Sequence, residues 1–134
     1  MMVTFFFISI LLLLPFVSCT VNGKITDINR ETVLVNSLVL AKPNRLMVYD
    51  GNTLIKLNLN RVKIVRIQPD IFKIYNKTLF CLAEITFRDG TTIGSFNNED
   101  SNMYIASNQF LYGKLQNGSF QTMLNNVLKI ELID

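Results

Sequence analysis

Two cysteines, ten carboxylates and no histidine make up most of the reactive inventory of this 134-residue chain. The absence of histidine removes the commonest general base and the commonest metal ligand together. Cys19 and Cys81 alone cannot complete a tetrahedral zinc site. Asp27, Glu31, Asp50, Glu84 and Asp89 could in principle supply a carboxylate pair for hydrolysis. However, Asp50 and Asp89 each precede a glycine, which accounts for them as turn residues, and Glu84 falls on the wet side of an alternating strand. Glu99-Asp100, inside N-N-E-D-S-N, could attract calcium but lacks the D-x-D-x-D-G spacing of a dedicated loop. Lys73, Tyr75 and Lys77 interleave charge with an aromatic ring, as single-strand nucleic-acid sites do, and read equally as a half-exposed strand. Neither G-x-S-x-G nor a phosphate loop occurs. The expectation is a non-catalytic protein with no cofactor, no metal and no nucleic-acid partner. An envelope hydrolase using carboxylates is the alternative from the enzyme class.

Cys19 differs from the other candidates because of what precedes it. Met1–Ser18 reads MMVTFFFISILLLLPFVS, an uncharged apolar run like the core of a secretory signal, with Pro15 and the polar step at Ser18 favouring cleavage. The positive charges usual at the start of such a segment are missing. Phe16-Val17-Ser18-Cys19 then resembles the lipobox of bacterial lipoproteins, in which a large apolar residue, a small or medium one and Gly, Ala or Ser precede an invariant Cys. Phe16 stands where Leu is usual. The resemblance implies that Cys19 becomes the N-terminus and carries the lipid. It places the chain outside the cytoplasm, anchored in the bacterial envelope with the bilayer as its first partner. More than one acyl chain makes such anchoring durable, at about 0.8 kcal/mol per buried methylene. Two other readings stay open: a plain secreted protein, with Cys19 lost or paired to Cys81, and a retained signal anchor. Under the lipoprotein reading Cys81, in step with Ala83, Ile85 and Phe87, is expected to be buried and inert.

The elements that carry these residues read as strands. Thr53–Ile67 is TLIKLNLNRVKIVRI, in which Ile55, Leu57 and Leu59 alternate with Lys56, Asn58 and Asn60. Ser119–Ile133 is a looser copy, and both contain Leu-Asn-x-Val before a short apolar strand, with a tight turn or one turn of 3-10 helix expected at Asn60-Arg61. Asp50-Gly51, Asp89-Gly90 and Asn117-Gly118 predict two-residue hairpin turns. The first would set Leu46 opposite Ile55, and the second Ile85 opposite Gly94. Hairpin, strand, Leu-Asn-x-Val and final strand in that order resemble the end of an SH3-like or Sm-like small barrel. The chain is therefore expected to be all-β, either two such units in tandem or one duplicated sandwich or barrel. The boundaries expected are a signal segment 1–18, a tether 19–24, a first β unit 25–68, a connector 69–78 at Pro69-Asp70, and a second β unit 79–134. A net charge of +3 would favour an anionic surface, although no run gathers it. Function is expected to be that of a structural or binding module of the envelope, offering edges and loops to a protein or glycan partner.

Overall fold

The computed structural model describes residues 21–133, and these form an all-β molecule. Eleven strands follow in chain order: β1 (Val21–Asp27), β2 (Thr32–Leu40), β3 (Leu46–Tyr49), β4 (Leu54–Leu57), β5 (Val62–Tyr75), β6 (Thr78–Phe87), β7 (Thr92–Ile93), β8 (Met103–Ala106), β9 (Phe110–Leu115), β10 (Gly118–Met123) and β11 (Val127–Ile133). They make one curled antiparallel sheet in the order β10-β9-β2-β1-β11-β5-β6-β8-β3-β4, with β7 on β6.

That order reveals a duplication whose two copies have exchanged strands. The centre is the pairing of β5 with β11, where Val65 faces Ile130. On one side Ile130 pairs with Ile25 of β1, and on the other Val65 pairs with Ile85 of β6, so β1 and β6 are equivalent. Each carries the same local device: Thr26 Oγ1 meets Thr32 Oγ1 at 3.0 Å, and Thr86 Oγ1 meets Thr92 Oγ1 at 3.1 Å. The two Leu-Asn-x-Val stretches are one-turn 3-10 helices, Leu59–Arg61 and Leu124–Asn126, each closed by the following valine N–H donating to the leucine carbonyl. In both, leucine and valine are buried in one shared core. Yet β2 pairs with β9 and β3 with β8, so each half of the sheet takes strands from both halves of the sequence. This is a single interleaved duplication, and no tandem pair of separate units exists among the described residues.

Cys81, Ala83 and Ile85 point into the main core, joined by Ile105, Leu46, Val48 and the buried valines Val35, Val65 and Val127 of β2, β5 and β11. The intervening residues of the same strands, Phe80, Leu82, Tyr104 and Ala106, build a second apolar layer on the other face, with Met47, Tyr49 and Phe96 against it. β6 is covered on both sides, which explains its nearly continuous apolar sequence TLFCLAEITF.

Several expectations need correction. The tether 19–24 is not a tether beyond Thr20, because β1 begins at Val21 and Asn22, Gly23 and Lys24 pair with Ile133, Leu132 and Glu131. Gly23 reads as flexible in sequence. Here it makes room for neighbours, since a β-carbon would lie 2.7 Å from Leu38 Cδ1. The connector 69–78 is instead the outer part of the β5–β6 hairpin, with Phe72 opposite Cys81 and Tyr75 opposite Thr78. Pro69-Asp70 marks a bulge between Gln68 and Phe72, where a residue without a donor costs the ladder nothing. The first hairpin is longer than two residues: Asp50 Oδ1 accepts from Asn52 N and Thr53 N, moving Leu46 opposite Leu57 and Val48 opposite Ile55. The slip is even, so the core face is unchanged. In the second hairpin Asp89 Oδ1 accepts from Thr91 N, and Ile85 faces Ile93. The third turn falls one residue earlier, with Leu115 opposite Gly118.

Candidate functional site

The two connections that carry the chain between halves of the sheet, β2 to β3 and β8 to β9, run side by side. Ser107, Asn108 and Gln109 form the second of them, and its polar groups are spent on holding the crossing together. Ser107 N and Oγ donate to the Leu79 carbonyl at 2.9 and 2.8 Å, and the Ser107 and Gln109 carbonyls accept from Asn125 N and Leu124 N. Gln109 is 8% exposed, and its Nε2 donates to the Arg45 carbonyl at 2.6 Å, fixing the first connection to the second. Residues 41–44 close on themselves, Asn44 N donating to the Ala41 carbonyl and Asn44 Oδ1 accepting from Leu40 N. Several main-chain groups of these non-repetitive segments thereby find partners within the protein.

Between these connections and the tip of the β5–β6 hairpin lies a groove of about 390 Å³. Its walls are Pro43, Met47, Leu54, Tyr75, Phe80, Ala106 and Phe110, and Lys42, Asn76, Thr78 and Asn108 stand among them as polar groups. Apolar and aromatic walls with a few polar groups, at this size, are the usual make-up of a ligand or peptide site. Aromatic packing holds the shape: Tyr75 stacks on Tyr49 with centroids 4.2 Å apart and meets Phe80 edge-on at 6.1 Å. Leu54 belongs to β4, the last strand of the sheet, so the groove adjoins a terminal strand of the sheet. A second depression of about 410 Å³, by Asn60, Arg61 and Arg88, is more polar, and its groups are engaged locally: Arg88 Nε donates to the Asn60 carbonyl at 2.7 Å.

The residues singled out in the sequence are dispersed. Cys19, with the rest of residues 1–20, lies outside the described residues. Cys81 is 1% exposed in the core, its Sγ donating to the Pro69 carbonyl at 3.6 Å, and burial pushes its pKa up. Among the carboxylates, Asp27 Oδ1 accepts from Asn29 N and Glu31 N in the β1–β2 turn, and Glu84 Oε2 accepts from Phe96 N, tying down the segment over the second layer. Hydrogen bonds from Thr53 N and Asn52 N hold the Asp50 carboxyl below its ordinary range, and those from Thr91 do the same for Asp89. Glu99 and Asp100 start a short 3-10 turn capped by Asn98, which accepts from Asp100 N. No group of three metal-binding side chains occurs among the described residues. Lys73 and Tyr75 are brought together as the sequence suggested, but they pack on the protein itself: Lys73 Nζ sits 5.2 Å from the centre of the Tyr104 ring. The groove was not foreseen. The one signal for it was the run Ser107-Asn108-Gln109 between two strands, polar in sequence and yet partly buried.

No protein-family model matches this chain, and no curated protein matches it either. Among the described residues no helix is long and apolar enough to cross a membrane. The functional reading therefore rests on the residues and their geometry.

Proposed function

We propose that the protein is a lipid-anchored, non-catalytic binding module of the bacterial envelope, held to the bilayer through Cys19 and engaging an extended segment of another envelope protein in the groove beside β4. The groove carries the binding half of this reading. Its apolar walls suit side chains, its amides at Asn76 and Asn108 suit a peptide backbone, and the adjoining strand β4 ends the sheet. The lipobox-like Phe16-Val17-Ser18-Cys19 supports the anchoring half.

Each half has its own experiment. Labelled palmitate is expected to enter the wild-type protein and not Cys19→Ser, which should leave the membrane fraction. A photo-crosslinking residue at Leu54 is expected to give one discrete protein adduct in cells. The adduct should vanish when Asn108→Arg is added, and should not form from Lys24 on the other half of the sheet. Adducts of equal intensity from both positions would refute the groove. A glycan recovered in place of a protein would redirect it. A soluble secreted protein of the same fold is the second reading, and lack of palmitate in a mature chain would establish it.

A further inference from the structure

The outer part of the β5–β6 hairpin has two faces, and only one is occupied. Alternation past the bulge sends Lys73 and Tyr75 toward the second apolar layer, against Tyr104 and Tyr49. Phe72 and Ile74 must then point the other way, beside Leu79, which pairs with Ile74. Both stand in solvent over more than half of their surface: Phe72 is 54% exposed and Ile74 72% exposed. Ile71, in the bulge itself, is exposed as well. Large exposed side chains this concentrated call for an occupant.

The charges on the arm select the occupant. Beyond Asp70 at its base, the arm from Ile71 to Leu79 carries no acidic residue, and its two lysines divide between its faces and its tip, with Lys73 over Tyr104 and Lys77 in the turn. Lysine is depleted in protein interfaces. At the surface of a bilayer the same mixture is favoured, because bulky apolar side chains enter the acyl boundary while lysines and tyrosines stay at headgroup level. The turn Asn76-Lys77, with φ of 50° and 64°, puts Lys77 at the extremity where it would meet headgroups first.

We propose that this arm is a second, non-covalent membrane contact, with Phe72 and Ile74 entering the interface of an anionic bilayer and Lys77 meeting its headgroups. The inference rests on the reading of the protein as membrane-tethered, and makes that tether orient the body. With β1 starting at Val21, only Thr20 separates Cys19 from a central strand, so the span between the α-carbons of Cys19 and Val21 is at most about 7 Å. Such a short link leaves the body little freedom to turn. The register sets Val21 level with the start of β5 and the arm beyond its far end, so an arm with its own lipid affinity adds a contact at the opposite end of the sheet and lays the central strands along the bilayer, while the groove, on the opposite face of the arm, stays accessible to a partner.

The test uses the unacylated chain from residue 20 onward, which retains every strand and the whole core. Ile74→Cys is labelled with a polarity-sensitive fluorophore, since native Cys81 is buried. Vesicles of phosphatidylglycerol and phosphatidylcholine are expected to shift its emission to the blue. The same label at Leu34→Cys, 53% exposed on β2, should not respond. Phe72→Ser with Ile74→Ser is expected to lower co-sedimentation with these vesicles by about tenfold or more, at unchanged melting temperature. No shift at Ile74, an equal shift at Leu34, or a shift that follows self-association without vesicles would each overturn the proposal. Because no acyl group is present, failure here and failure of palmitate labelling are separate results.

Discussion

At Cys81 the thiol is enclosed between β5 and β6, and burial outweighs the lowering effect of the Ser107 hydroxyl to keep it protonated. Alkylation at neutral pH should be slow in the folded protein and fast in denaturant, as followed by thiol-reactive dye; fast native reaction would contradict the burial. A raised folded pKa means the folded state holds this proton more tightly, so its stabilisation is complete below the unfolded thiol pKa and declines as pH rises above about 8.5. Asp50 and Asp89 act in the opposite direction. Their depressed pKa values add stability above the unfolded value of about 3.9, and it is lost as pH falls through the lower folded values. Asp50→Asn should lower the melting temperature at pH 7 and flatten its decline in acid, as seen in melts over that range. These roles were legible in part: Asp-Gly announced both turns, and the alternation around Cys81 announced its burial. The loop lengths were not, because a carboxylate that accepts two hydrogen bonds from the residues after it stabilises a longer loop from the same two letters.

For the elements, the repeated Leu-Asn-x-Val stretch is the feature the sequence showed best. A polar Asn between buried Leu and Val has to sit on a turn, and 3-10 geometry brings both apolar side chains to one side. Leu59 and Leu124 occupy equivalent places in one core. Leu59→Ala and Leu124→Ala should each cost about 2–5 kcal/mol in denaturant unfolding, in a single transition. Two separate transitions would mean that the halves unfold independently. Partnership between strands was not readable. β2 and β3 alternate cleanly, but nothing in alternation says that β2 will pair with β9 and β3 with β8. That information lies in the crossing held by Ser107 and Gln109, residues that look in sequence like an ordinary exposed loop. The hairpin arm was obscured for a related reason, since Pro69-Asp70 reads as a boundary where the structure has a bulge within a continuing strand.

For the whole molecule, exchanging strands between copies makes each half-sheet depend on both halves of the chain. Fragments 21–76 and 77–133, cut at the hairpin turn, should each lack cooperative melting alone and recover it when mixed, as circular dichroism would show. A fragment that melts cooperatively by itself would contradict the interleaving. The same architecture has an exposed apolar arm at 71–77 and a groove beside its crossings, and under the proposed attachment through Cys19 these would hold a partner close to a lipid surface. All of this functional layout refers back to the anchor, and the most direct test is the intact mass of the native protein extracted from membranes. Lipid attachment at Cys19 predicts a chain beginning at Cys19 and heavier than its sequence by a diacylglycerol and a further acyl group. A chain that begins at Thr20, or one that still carries Met1, would contradict it.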